Sequence, residues 1–476
     1  MATAGADTQN RQAVDAHRPG ARFAAWTGDR AGPLIVSVGL CMIVAYVAAV
    51  LAFPKPGGRI LFGDATHHFV QLRSLVFDGD LNFRNEYVRL YNLRGGEVST
   101  EWVTTELTAT GHVRNYMPLG PALLWAPAYL LLAAVQTLLA WLGLAAPPDG
   151  FDRMLQLAPG ITGIVAATLA VLVSWRLARR YAGPAGAAIG AMAAWFGSSA
   201  IYYSLVSPTY SHAASMLASA VLFSFWLGTF DRPSLRRAAV LGALAGVAAL
   251  MRWQDAIFLC IPILDAVGRR AGWRVRAAHA GAASIAFVLA FSPQMMVWHV
   301  LYGAPLAVPQ GPSFLQWTAP HLGAVLLSDN HGLFVWTPLV VLSIAGLGLF
   351  LWRRRELALP IAVVVIASWY VNAAVADWWA GEAFGARRFL SLFPLFVVGL
   401  AVWLCPRADR ATPVPRIAAG RLAVAVVLVV LNLLLLFQYQ LFMKGLHAIA
   451  PYPRGWFDMW LARLVVPFRF LAWWLG

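Results

Sequence analysis

The chain has 476 residues, 60% of them hydrophobic and only 12% charged, with a mean hydropathy of +0.66. A soluble domain of that size cannot hide so much apolar surface, so lipid is the expected solvent and a water-soluble fold is excluded. The net charge of +15 would point to nucleic acid in a soluble chain. Here the arginines fall in short loops between apolar runs, where they act as orientation signals, and nucleic acid is not an expected partner.

In chain order, a polar tail over 1–32 carries Arg11, Arg18, Arg22 and Arg30 and precedes a first apolar span at about 33–53. The arginines place the tail in the cytoplasm, and the span is expected to be an uncleaved anchor. A long, mostly polar segment, 54–156, then forms a first periplasmic loop. Within it 118–144 is apolar and nearly long enough to cross, but a crossing there would put Arg176, Arg179 and Arg180 outside. A re-entrant or interfacial stretch keeps every later loop consistent.

Further spans are expected at about 157–177, 184–202, 208–229, 238–251, 256–268, 278–301, 333–351, 358–375, 389–405 and 422–443. The loops assigned to the inside carry Arg179/Arg180, Arg232/Arg236/Arg237, Arg269/Arg270/Arg274/Arg276, Arg353/Arg354/Arg355 and Arg407/Arg410/Arg416/Arg421. The fold class is therefore all-α, a polytopic domain over 33–443 with about eleven transmembrane helices and juxtamembrane helices in the large first loop. A segment over 444–476, rich in Trp with Arg463 and Arg469, reads as a periplasmic amphipathic helix in the interface. Cys41, Cys260 and Cys405 sit in or at the ends of apolar spans, so neither a disulfide framework nor a CxxC metal site is expected. The 21 Trp and 13 Tyr suit aromatic belts at both interfaces.

Acidic residues gather outside rather than at mid-membrane depth, which favours surface chemistry over a pump or carrier. Asp64, just past the first span, is either a cap or turn residue of the short helix that follows or a general base aimed at a hydroxyl. Asp78 and Asp80 flank Gly79 as a turn, or supply a second acid or a metal ligand. His67 and His68 are adjacent and point apart on a helix, so they do not form a zinc pair. Arg387 and Arg388 lie outside, against the positive-inside trend, in a segment holding Asp377, Trp378, Trp379 and Glu382. They are candidates for bidentate phosphate binding, or else pair with Asp377 and Glu382. Asp329 and His331, in a Pro- and Gly-rich stretch before the span at 333–351, and His67 complete the candidate cleft.

At these residues the chain resembles the C-type superfamily of polytopic, lipid-phosphate-sugar-dependent glycosyltransferases. The nearest branch is bacterial, related to protein O-mannosyltransferases, lipid A aminoarabinose transferases and rhizobial lipopolysaccharide sugar transferases. The resemblance lies in the acid after the first span, the large first loop, the stretch Tyr116-Met117-Pro118-Leu119-Gly120-Pro121 and an outside arginine near the late spans. It implies inverting transfer of a sugar from a polyprenyl-phosphate donor to an envelope glycolipid, glycan or protein at an inner membrane. Asp64 would be the base, and Arg387 or Arg388 would hold the phosphate. Relatives carry an acidic pair where this chain has Asp64-Ala65, which leaves a divalent metal an open expectation. The alternative is a transporter or flippase for a lipid-linked glycan.

Overall fold

A computed structural model describes residues 19–53, 59–92, 100–381, 383–405 and 417–475. The described residues form helices and loops, with two isolated bridges and no sheet. The first helix, α1 (Pro19–Ala52), reaches well back into the expected tail. The loop after it holds α2 (Asp64–Arg73), α3 (Arg84–Asn92), α4 (Trp102–Thr105) and α5 (Gly120–Trp141). Next come α6 (Arg153–Ala178), α7 (Pro184–Phe196), α8 (Ser211–Gly228), α9 (Leu235–Met251), α10 (Cys260–Val267) and α11 (Trp273–Tyr302). After the short α12 (Ala324–Leu327) and α13 (Leu333–Trp336) follow α14 (Leu339–Arg353), α15 (Ala358–Ala373), α16 (Phe393–Leu404), α17 (Ala419–Met443) and α18 (Trp456–Leu475).

Among the described residues, eight helices are long and apolar enough to cross a membrane. In lipid every backbone N–H must be satisfied within its own segment, which long helices do. Each of the eleven expected spans coincides with a helix or a pair of helical pieces, so the chain is a multi-pass α-helical membrane protein. Four of the eleven fall short of that length. α7 is interrupted after 13 residues, α9 has 17 and α14 has 15. The stretch 256–268 is a 3-10 turn (Trp253–Leu259) followed by the eight-residue α10. The apolar run Arg387–Leu404, which ends in α16, is the hub: 83% of it is buried, against 22% for the apolar runs of α1, α5 and α11, which form the outer wall.

Close glycine contacts fix the helix packing. A Cβ on Gly346 of α14 would stand 1.8 Å from the Gly399 carbonyl of α16, and one on Gly399 would stand 2.0 Å from the Ser343 carbonyl. Small residues let these backbones meet, which is how helices associate where lipid removes the hydrophobic drive. The contacts also order the helices in space. Arg153 at the start of α6 donates to the Val50 carbonyl near the end of α1, and Gly32, about five turns further back on α1, faces Trp175 near the end of α6. The chain therefore leaves α1 and enters α6 at the same end of the bundle.

Helix α5 is a continuous 22-residue helix, long enough to cross. It lies wholly within the connection between those two points. The segment after it doubles back, with Tyr129 Oη donating to the Gly150 carbonyl at 2.7 Å and Gln136 Nε2 to Ala146. Arginines mark the opposite end. There Arg237 and Arg269 share Asp265, Arg354 stacks over Tyr181, and Arg421 donates to the Trp403 carbonyl. Arg407, Arg410 and Arg416 lie outside the described residues.

The C-terminal helix α18 folds back along α17, with Phe470 5.4 Å from Phe437 and Val466 clustered with Leu441. Met459, Arg463 and Val466 are buried on that side, while Trp456, Phe457, Phe468, Trp473 and Trp474 stay exposed.

Candidate active-site cleft

At the end of the bundle away from those arginines, a cleft of about 470 Å³ opens between the first loop, the α9–α10 link and the segment before α16. Local sequence explains how each group arrives there. Gly63 adopts φ 56°, a region open to glycine, and a Cβ there would lie 2.4 Å from Tyr210 Oη. That tight bend starts α2 with Asp64 as its first residue. No side chain caps the helix at Gly63, and Asp64 points across the cleft instead.

Arg387 and Arg388 open the 3-10 turn Arg387–Leu392, which follows a strained loop. Ala380, Gly381 and Gly385 all have φ near 65°, positive backbone that alanine rarely adopts. Arg387 Nη1 donates to Asp64 Oδ2 at 2.6 Å, and its guanidinium lies 5.4 Å from the Tyr210 ring centroid. Arg388 behaves differently. Its Nη2 donates to both Asp377 carboxylate oxygens at 2.7 Å and its Nη1 donates to the Asp377 carbonyl at 2.7 Å. The two neighbouring arginines therefore divide: Arg388 closes its own loop, and Arg387 reaches the acid across the cleft.

Burial would raise the Asp64 carboxyl, but Arg387, with His68 and His67, outweighs it and holds the group below the ordinary carboxylate range. Asp64 is therefore ionised at neutral pH. His67, one turn along, has its Nδ1 2.7 Å from Tyr87 Oη, and burial pushes its pKa to about 4, so the ring is neutral. His68 is buried against Trp125, with Nδ1 2.9 Å from the Pro118 carbonyl, and acts in packing.

Two further polar groups on the cleft, Arg252 and Gln254, were not singled out from sequence. Arg252 donates to His212 and, through Nη2, to Gln254 Oε1 at 3.0 Å. Gln254 Nε2 in turn donates to the Arg388 carbonyl at 3.1 Å. Behind them Ser215 donates to the fully buried Asp255 at 2.5 Å, tying the Arg252–Asp255 link to α8. A signal for Arg252 was present: it is an arginine on the same side as Arg387, the exception to charge asymmetry that flagged the later pair. Trp253, Phe314 and Trp317 supply aromatic walls and Ile257, Val371 and Val375 aliphatic ones. One wall is held by strand-like pairing, with Gln316 N donating to the Ala374 carbonyl and Ala376 N to Phe314.

Other expected site residues are placed elsewhere. Asp78 pairs with Arg73 and accepts from Asn85, and Asp80 accepts from Ser74 at 2.7 Å; with Gly79 at φ 72° they build the turn after α2. They are not on the cleft, because α2 and the turn that follows carry them roughly 20 Å along from Asp64 at ~1.5 Å per residue. Asp329 accepts from Gly455 N at 2.7 Å, and His331 packs on Trp336 with its Nε2 3.1 Å from Tyr452 Oη. This pair anchors the segment before α18 and does not line the cleft. Trp378 packs against His321 and Trp379 against Trp378, behind the cleft wall. Glu382 lies outside the described residues. Among those residues no three His, Cys, Asp or Glu side chains converge as a metal site.

The fold and this cleft define a multi-pass helical membrane protein with an acid–arginine centre at one end of its bundle. Among solved structures the chain is similar to ArnT from Cupriavidus metallidurans bound to undecaprenyl phosphate, at 17% identity and a TM-score of 0.42, over 92% of this chain and 76% of that one. It is similar to the same protein in the apo state at 17% identity and a TM-score of 0.44, over the same shares. No family model matches the chain, and no curated protein matches it.

Proposed function

We propose that this chain is an inverting glycosyltransferase that moves a sugar from a polyprenyl-phosphate donor to an envelope glycolipid, glycan or protein. The observation that carries the reading is the composition of one cleft. An ionised carboxylate, Asp64, faces a cluster in which three guanidiniums (Arg252, Arg387, Arg388) meet two carboxylates (Asp64, Asp377), leaving one net positive charge. Guanidinium forks suit phosphate, and apolar and aromatic walls suit an isoprenoid chain and a sugar face.

In this mechanism the acceptor hydroxyl gives its proton to Asp64 while its oxygen bonds to the anomeric carbon. The bond from that carbon to the phosphate oxygen breaks, and its electron pair leaves with the phosphate. Arg387 and Arg252 stabilise the charge that develops, a task suited to preorganised donors. A single displacement inverts the anomeric centre and needs no carboxylate nucleophile. In this reading the cleft faces the periplasm of a bacterial inner membrane, a side supported by the arginine-rich opposite end, which would face the cytoplasm.

The test is reconstitution of the purified protein with lipid extract from cells fed a radiolabelled monosaccharide. Label should move from the lipid-phosphate fraction to an envelope acceptor with inverted anomeric configuration. Label that crosses the bilayer while still attached to its lipid would replace this reading with a flippase.

A further inference from the structure

We propose that Arg387 exchanges between Asp64 and the donor phosphate, so that Asp64 is masked as a base until the donor is seated. This rests on the glycosyltransferase reading and adds an order of events to it. The geometry sets Arg387 apart from the other cleft arginines. Arg388 spends both terminal nitrogens on Asp377 within its own loop, and Arg252 is held by His212 and Gln254. Arg387 instead has a hydrogen bond from Nη1 to a residue 323 positions away, on an independent element. Both partners line the cleft, Asp64 with 24% and Arg387 with 12% of its side chain exposed, so a ligand can reach the pair.

A carboxylate that accepts a charged hydrogen bond has its oxygen occupied and its proton affinity reduced, both adverse for a general base. A phosphate competes well for the same guanidinium. It presents two non-bridging oxygens at the spacing of the planar fork, whereas Asp64 here receives one bond. When Arg387 turns to the phosphate, Asp64 loses that charged bond and gains a stronger pull on the acceptor proton. The same movement puts a cation on the leaving group. An acceptor that arrives first meets a masked base, which protects the site from unproductive proton transfer.

Binding linkage tests the exchange without any chemistry. Undecaprenyl phosphate, lacking a sugar, is titrated into the full-length protein in nanodiscs, with the fluorescence of the cleft tryptophans as readout. If Asp64 and phosphate compete for Arg387, D64N should bind the lipid about tenfold more tightly than the wild type, a typical size for coupling between linked interactions. In an R387Q background the same change should alter affinity less than about twofold. D64E, which keeps the charge, should bind like the wild type, and D64A replaces D64N if the latter does not fold. Unchanged or weaker binding by D64N overturns the exchange and leaves the enzyme reading intact. An equal gain with and without Arg387 also overturns it, because it reports only removal of a negative charge. A wild type that does not bind the lipid at all removes the donor-binding reading itself.

Discussion

Arg387 Nη1 lies 2.6 Å from Asp64 Oδ2, joining the start of the first-loop helix to the entrance of the buried helix α16. One ion pair thus binds the chain's candidate base to its candidate phosphate ligand, and the predictions below follow from how that centre is held.

Asp64 is ion-paired with Arg387, and Asn keeps a side-chain oxygen that can accept the same bond. D64N should lower the transfer rate by about 10²–10⁴, the usual range for a lost general base, while lowering the melting temperature only by the lost ionic part of the pair. Because Arg387 holds its pKa down, the pair's stabilising contribution is present above the ordinary carboxylate range and is lost as pH falls through the folded pKa. Asp64 should therefore add no acid limb to kcat/KM, which reports the free enzyme, between about pH 5 and 8. Steady-state transfer kinetics with parallel melts check both statements.

The two neighbouring arginines should separate on replacement by lysine, which cannot reproduce a planar fork. R387K should weaken donor binding with the loop intact. R388K should act chiefly on the Asp377–Arg388 loop, lowering stability by about 1 kcal/mol, since Asp377 is 41% exposed and water screens the pair. Donor titrations and melts of both variants distinguish these effects. Equal loss of donor affinity in the two would mean that both arginines touch phosphate.

Much of this architecture is legible in the sequence because apolar length and arginine placement obey the bilayer's simple physics. Asp64, Arg387, Arg388 and Asp377 stood out as charges where charge is unusual, and the structure brings all four to one cleft. Arg252 carried the same signal but sat in a link between two short helices. Asp329 and His331 misled because a polar loop looks the same whether it lines a cleft or anchors another segment. Only contacts distant in sequence, such as Gly455 to Asp329, separate those cases.

Glu86 is fully buried beside Arg73 and Asp78, and burial raises its pKa to about 7. An acid with a raised folded pKa holds more protons folded than unfolded between its two values. Stability should fall as pH rises from about 4.5 to 7 and level off above, by on the order of 3 kcal/mol. E86Q should flatten that slope. Melting curves from pH 4.5 to 8 read it directly, and an unchanged slope in E86Q would assign it to another group.

The α14–α16 crossing gives a paired test. G346A must push its Cβ against the Gly399 carbonyl, at a cost of about 1–3 kcal/mol. G348A, two residues along with nothing within 4 Å, should be neutral or slightly stabilising. Fluorescence-detected size exclusion after heating ranks the two; equal behaviour would contradict the packing.

The central claim is that Asp64 serves a sugar transfer in the envelope. Mass spectrometry of envelope glycans and glycolipids from a deletion strain, complemented with the wild type or with D64N at matched levels, tests it most directly. The account requires a saccharide mass that disappears on deletion, returns with the wild type and stays absent with D64N. Full restoration by D64N, or an envelope unchanged by the deletion, would contradict it.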